Sequence, residues 1–367
     1  MGDPKVLFSV FRHIPDPRRP QGNFRYPLEE IFFLVISAVV SGLEDWVHIE
    51  EFGNDQLDWL RRYYTYEHGI PSHDCLGRVF SALDTQAFGE VFVQWSQGLS
   101  QHTAGQVVSI DGKTLRRSYD HYQGKAAIHL ISAFASANSL VLGQVKTQEK
   151  SNEISAIPDL LDLIFLDGCV VTIDAMGCQK DIAAQIREKK EDYVLALKSN
   201  QPELYEEVKR AFQIMPIEAS YTSVNSDHGR IEERICEVIT DFRFIDEAAK
   251  WPGMQAVAKV KARRTHKNSG QTEEQDRYYI CSLTKAEKIS EAVRAHWGIE
   301  NSLHWVLDVQ FCEDLSRKRK GKMPANFALI TKMVINMIKK HPAKGSIKVK
   351  RMKAAWNQNF RQQILFG

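Results

Sequence analysis

The apolar positions change period partway along the chain. Up to about residue 100 they recur at helical spacing. The stretch YPLEEIFFLVISAVVSGLEDWVHIEEFG has acids in an apparent first turn, an apolar middle and Gly53 at a stop, which predicts one helix. In IPSHDCLGRVFSALD, Ser72 stands as an N-cap ahead of Leu76, Val79, Phe80 and Leu83, an apolar stripe at helical spacing. After Gln106 the apolar residues come instead in short β-branched runs, at 107–111, 128–135, 140–147, 170–174 and 193–197. SANS at 136–139 has turn composition, so the second and third runs are expected to form a hairpin. Helices fit 154–164, 179–190 and 202–212. Three antiparallel strands followed by alternating helix and strand predict an α/β mixed sheet with helices on its faces.

From 217 to 283 the alternation stops. RIEERICEVITDF and MQAVAKVKARRTHKNSGQTEEQDRYYICSL read as extended and charged, with a hairpin turn at HKNSGQ, so the segment is read as a β-rich insertion. Helical spacing returns at about Thr284 and holds to about Asp308, and a further helix fits 325–340. The expected organisation is a helical N-terminal domain (1–104), a core split over 105–216 and 284–340, the insertion (217–283) and a basic tail (341–367).

Charge sharpens this picture. The net charge of +2 hides 14 Lys and Arg with no Asp or Glu from 315 to 367, which leaves the rest of the chain acidic. Such a tail points to a polyanion partner, nucleic acid first, although a solvated helical face also accounts for it. Two N-terminal helices joined by a polar turn fit either a DNA-reading module or plain helical packing. The six cysteines lack CxxC or zinc spacing and read as free thiols in a reducing compartment. No signal-peptide pattern opens the chain. The longest apolar run, 31–40, falls well short of the roughly 20 residues that span a bilayer, so no membrane role is expected.

Two of the β-branched runs end in a carboxylate. Asp111 closes SID before Gly112, and Asp174 closes VVTID before Gly177. Asp before Gly is a common turn former, so each acid alone has a structural reading. If the two strands are neighbours, both acids sit at their carboxyl ends, where open α/β sheets bind ligands. A third acid lies in VRAHWGIENSLHWVLDVQF, where His296, Glu300, His304 and Asp308 are each four apart and form one polar stripe. Each His alone also suits a hydrogen-bonded structural role. Three hard oxygen ligands without a thiolate cluster suit two Mg2+ or Mn2+ ions, and such a pair serves in-line attack at a phosphodiester. Lys113, Arg116 and Arg117, just beyond the first acid, are expected to hold substrate phosphates.

The blocks SIDGKTLRRS, TIDAMGCQ and AHWGIENSLHWVLDVQFCEDLSRKRKGKMPANFALI resemble those of the H-repeat-associated, ISAs-type insertion-sequence transposases, which are DDE enzymes on a ribonuclease H-like core. The resemblance runs over nearly the whole chain. It implies Asp111, Asp174 and Glu300 as the triad binding two Mg2+, and a mainly β insertion between the second and third acids. It implies as partners double-stranded DNA, at terminal inverted repeats and at a target, and a homo-oligomer on that DNA in the bacterial cytoplasm. DNA contacts are expected from Arg230 in the insertion, from Arg294, His296 and His304 on the Glu300 helix, and from Arg317, Lys318, Arg319 and Lys320 beyond it. His228, Gly229 and Glu233 match the family block without a role. Broader relatives carry a Tyr seven and an Arg four residues before the Glu and a Lys seven after it. Here those places hold Val293, His296 and Leu307. Two other readings stand beside transposition: a metal-dependent nuclease without strand transfer, and a non-catalytic DNA-binding relative.

Overall fold

The computed structural model describes residues 9–18, 25–99, 105–119, 124–147, 153–227 and 229–367. At its centre lies one nine-stranded sheet. Strands β1 (Val107–Thr114), β2 (His129–Ala135) and β3 (Leu140–Thr147) are antiparallel neighbours. On the other side of β1, β4 (Val170–Ile173) and β5 (Asp192–Leu197) run parallel to it and to each other. The order 3-2-1-4-5 is the ribonuclease H-like arrangement, and it arises as expected from a hairpin followed by strand–helix units. Strand β1 outruns its sequence signal. Gly112, Lys113 and Thr114 stay paired with β2 beyond Asp111, so the acid sits inside a strand edge and not in a loop.

The N-terminal helices are α1 (Leu28–Val40), α2 (Trp46–Asp55), α3 (His73–Ala82) and α4 (Thr85–Leu99). The single helix expected across 26–53 is two. Gly42 takes a positive φ of 95°, and the Asp45 side chain accepts from Val47 N–H to start α2. Gly53 does not stop a helix. It lies inside α2, where a Cβ would stand 2.7 Å from Ile70 Cγ2 and 2.9 Å from Leu34 Cδ1. Ser72 caps α3 as its sequence predicts, accepting from Cys75 N–H at 3.3 Å.

Helices α5 (Glu153–Leu163), α6 (Lys180–Glu188) and α7 (Pro202–Ile214) follow in the core. The segment 217–283 supplies β6 (Ala219–Asp227), β7 (Arg230–Ile239), β8 (Ala256–His266) and β9 (Thr272–Cys281). These strands extend the core sheet, because β9 pairs antiparallel with β5 and the order continues 5-9-8-7-6. Helix α8 (Ala286–Ile299) lies across β1, β4, β5 and the insertion strands. A π-turn, Glu300–His304, joins it to α9 (Trp305–Gln310). Then come α10 (Met323–Lys340), α11 (Ile347–Trp356) and α12 (Gln358–Phe366).

Helix α10 is buried on all sides for most of its length, against α1, α3, α4 and β3, with Asn326, Lys332 and Asn336 buried among its apolar residues. One continuous core therefore joins the N-terminal helices to the sheet. At about 1.5–3 kcal/mol per large apolar side chain buried, this packing dominates their docking.

The basic tail departs from its expected role. Arg351 and Arg361 are buried, and both turn inward onto the N-terminal helices. Arg351 donates to Val39 O and pairs with Glu44, while the Arg361 guanidinium lies 4.2 Å from the Trp59 ring centroid and donates to Gln56 Oε1 at 2.6 Å. Lys350 donates to Ile338 O and His341 O. Three of the tail's six basic residues are thus structural clamps, while Lys344, Lys348 and Lys353 remain exposed.

Candidate active site

The parallel register of β1 and β4 pairs Val107 with Val170 and Ile110 with Ile173. The next residues, Asp111 and Asp174, therefore stand side by side at the carboxyl edge, roughly one strand spacing of 4.8 Å apart in backbone. Asp174 Oδ1 accepts from the N–H groups of Met176 (3.1 Å) and Gly177 (3.3 Å), an Asx-type turn that fixes its side chain. Gly177 is required by contact: a Cβ there would lie 2.9 Å from Ile157 Cδ1 and closer still to Ile173 Cγ2. Replacing Gly177 by Ala is expected to cost about 1–3 kcal/mol and to displace Asp174; chemical denaturation and an activity assay check both.

Glu300 comes to the same place from the π-turn that follows α8. Asp111, Asp174 and Glu300 line one cavity of about 360 Å³, shared with Thr172, His296 and Trp297. Helix α8 is tied to the strands beneath it. Ser136 Oγ donates to Ala295 O at 3.0 Å, Thr172 Oγ1 donates to Ser109 Oγ at 3.2 Å, and His296 Nδ1 lies 3.0 Å from Thr172 Oγ1. His304 Nδ1 stands 3.4 Å from Asp111 Oδ2. The polar stripe read from the sequence thus faces β1 and β4. In a regular helix residues four apart drift by about 40° per step. The π-turn at Glu300–His304, wider per turn, reverses that drift and keeps His304 and Asp308 on the strand side.

The electrostatics are those of acids crowded together with no cation ion-paired to them among the described residues. Burial pushes Asp111 up to about 7; the charges of Asp174, Glu300 and Glu153 add to this, while the Gly112 N–H bond opposes it. Burial likewise raises Asp174, with Glu153 adding and Lys198 opposing. His296 is lowered to about 4 and His304 to about 3, burial being the main cause in both, so neither is a cation at neutral pH. Among the described residues, no Lys or Arg forms an ion pair with the three acids. Nor do any three His, Cys, Asp or Glu side chains among them converge into a ready metal cage. The cavity gathers hard oxygen donors that no Lys or Arg among the described residues pairs with, a donor set that fits Mg2+ or Mn2+.

The expected phosphate ligands divide. Lys113 is withdrawn from solvent: its Nζ lies 2.6 Å from Asp308 Oδ1 and 3.1 Å from Asp314 Oδ1, which corrects its reading as a phosphate ligand and makes it a clasp between β1 and α9. Arg116 is exposed and pairs with Asp314, and Arg117 is exposed. Lys318 is also corrected. Its Nζ donates to Glu44 O and lies 3.9 Å from the Phe327 ring centroid, and burial lowers it to about 8. Arg317, Arg319 and Lys320 are at the rim of a second cavity, about 810 Å³, beside the turn between α1 and α2. Leu307, where broader relatives hold Lys, is buried in the core, and Val293 lines the acid cavity. His228 lies outside the described residues.

Three contributors have no clear sequence signal. Arg277 on β9 stacks 4.3 Å from the Trp297 ring centroid at the cavity wall. Lys198, exposed just after β5, also lines the cavity. Glu153, the first residue of α5, acts electrostatically on both aspartates. Arg277 belongs to a larger group. Arg234 on β7 is lowered by burial and by the charges of Arg294, Arg264 and Arg277, with Glu232 opposing. These arginines gather where the insertion sheet meets α8, so Arg294 joins a cationic surface that includes insertion residues. Arg230, exposed at the start of β7, acts on Glu232 of the same strand.

Fold and acid placement define a ribonuclease H-like protein with carboxylates gathered at the carboxyl edge of its central strands. Residues 102–337 match the family model described as Transposase DDE domain, and residues 8–96 match the one described as DDE_Tnp_1-associated. The chain belongs to the DDE transposase family. The YncI protein of Escherichia coli O157:H7 is 41% identical over 368 residues, covering 98% of this chain and 94% of its own length. The H repeat-associated YhhI protein of Escherichia coli K12 is 39% identical over 374 residues, covering 99% and 98%. Both carry transposase names. A cryo-EM structure of the piggyBac transposase synaptic complex with hairpin DNA is 15% identical, with a TM-score of 0.48 over 100% of this chain and 82% of that one. Among the described residues, no helix is long and apolar enough to cross a membrane.

Proposed function

We propose that the chain is an insertion-sequence transposase that cuts the element's ends by metal-assisted hydrolysis and joins the freed 3′-hydroxyls to target DNA by transesterification. One observation carries the reading: parallel pairing sets Asp111 beside Asp174, and Glu300 enters the same cavity from the π-turn that follows α8. These three carboxylates are the residues to hold two Mg2+ ions. When bound, such ions activate the attacking oxygen and stabilise the leaving one. The chain's own work is to place the acids and the DNA. Ser109, Ser136 and Thr172 fix α8 against the strands, so Glu300 keeps its distance from both aspartates. Neutral His304 touches Asp111 without competing for its charge.

The arginines around Arg277 and Arg294 are positioned to bind the phosphates of a duplex entering this cavity. Arg294→Ala and Arg277→Ala are each expected to weaken binding across all DNA sequences and to reduce the salt slope of binding by about 1. Fluorescence anisotropy from low to moderate salt checks this. The function itself is tested with purified protein, Mg2+, pre-cleaved element ends bearing 3′-hydroxyls, and a target plasmid. Joined products are expected, and cut but unjoined DNA would make the protein a nuclease. Transposition brings two ends together, so a homo-oligomer on paired inverted repeats belongs to the same proposal.

A further inference from the structure

We propose that Glu153 is a fourth carboxylate of the metal-binding centre, reaching it from the face of the sheet opposite Glu300. The inference rests on the reading of Asp111, Asp174 and Glu300 as that centre, and it adds a residue which the three-acid pattern lacks.

The argument begins with strand alternation. Successive residues of β1 point to opposite faces, so Ser109, Asp111 and Lys113 share the face of α8 and α9. Their contacts agree, Ser109 with Ala295 and Lys113 with Asp308. Gly112 and Thr114 turn to the other face. There Thr114 Oγ1 lies 2.9 Å from His129 Nδ1, and His129 Nε2 lies 2.6 Å from Glu153 Oε1. Gly112 is what admits this pair: a Cβ on it would stand 2.8 Å from Glu153 Oε1 and closer still to His129 Nε2. Glu153 therefore occupies the space a side chain at 112 would take, directly beside the backbone of Asp111.

Its surroundings are costly for a residue with only a structural task. Glu153 is 6% exposed, and its charge disfavours ionisation of both Asp111 and Asp174. The contact of His129 Nε2 with Glu153 Oε1 at 2.6 Å offsets part of its burial, but a buried polar contact of this kind is weak evidence of net stabilisation. A cation shared among the acids removes the like-charge cost of all four together. His129, held by Thr114, then serves as the positioning residue that aims Glu153.

The test measures metal binding without DNA. Mn2+ is titrated calorimetrically into the full chain, the Glu153→Gln variant and the Asp111→Asn variant, and each is melted in EDTA. Glu153→Gln is expected to weaken Mn2+ binding by about tenfold or more, with its metal-free melting temperature unchanged or raised. Unchanged Mn2+ affinity together with a lowered metal-free melting temperature overturns the proposal and leaves Glu153 as the structural partner of His129. If Asp111→Asn also binds Mn2+ like the unaltered chain, the three-acid centre itself fails. A second measurement uses the unaltered protein: Fe2+ with ascorbate and peroxide should cut the backbone near 153 as well as near 111 and 174. Cuts near 111 and 174 without any near 153 also overturn it.

Discussion

Asp111→Asn is expected to abolish strand cleavage and joining, by about 10³-fold or more, while DNA affinity at fixed salt stays within a factor of two or so. The size follows from the metal ions this carboxylate is proposed to hold. Metal ions contribute several kcal/mol of transition-state stabilisation, and each 1.36 kcal/mol is a tenfold change in rate. DNA affinity is expected to be spared because the charge proposed to bind phosphates lies elsewhere, on arginines such as Arg277 and Arg294. The same substitution should raise the melting temperature in EDTA. It removes a buried carboxylate that burial and the charges of Asp174, Glu300 and Glu153 make costly. An isosteric amide still accepts the Gly112 N–H bond, so nothing is lost locally. Loss of activity together with a gain in metal-free stability is the signature of a strained functional group; loss of both would make Asp111 a structural turn former.

What could be read from the chain divides by whether the cause is local. The acids at 111 and 174 were legible because an apolar run ending in a carboxylate is a local conflict, and strand order alone makes the two neighbours. Glu300 was legible through the four-residue spacing of His296, His304 and Asp308, although the π-turn that holds the stripe on one side leaves no mark in composition. Strand β6 was not legible: SYTSVNS is small and polar, and only pairing with β7 makes it extended. The lone break between α1 and α2 hid because Gly53 reads as a stop more strongly than Gly42. Lys113 was misread and Glu153 passed over for one reason: their partners, Asp308, Asp314 and His129, are brought to them by the fold from distant parts of the chain.

The tail carries the second large effect. The fourteen basic residues from 315 to 367, with no acid among them, look like a polyanion grip, yet Arg361 has no exposed surface and lies between the Phe52 and Trp59 rings, with centroids 5.0 Å and 4.2 Å from its guanidinium. Burial lowers it to about 10, so its charge is held at a cost which the rings and Gln56 only partly offset. Arg361→Ala removes the stem and the planar head from a closed site and leaves a cavity between α12 and α2. The expected loss is about 3–5 kcal/mol, or roughly 4–6 °C in melting temperature for a chain of this size. Arg361→Met, which keeps most of the volume and removes the charge, should cost far less, since buried charges are often replaceable by apolar groups of similar shape. A DNA-gripping arginine predicts the reverse: both variants would weaken DNA binding alike and leave the melting temperature alone. Thermal unfolding of the two variants, with anisotropy on a labelled duplex, separates a clamp that holds the N-terminal helices from a hand that holds DNA.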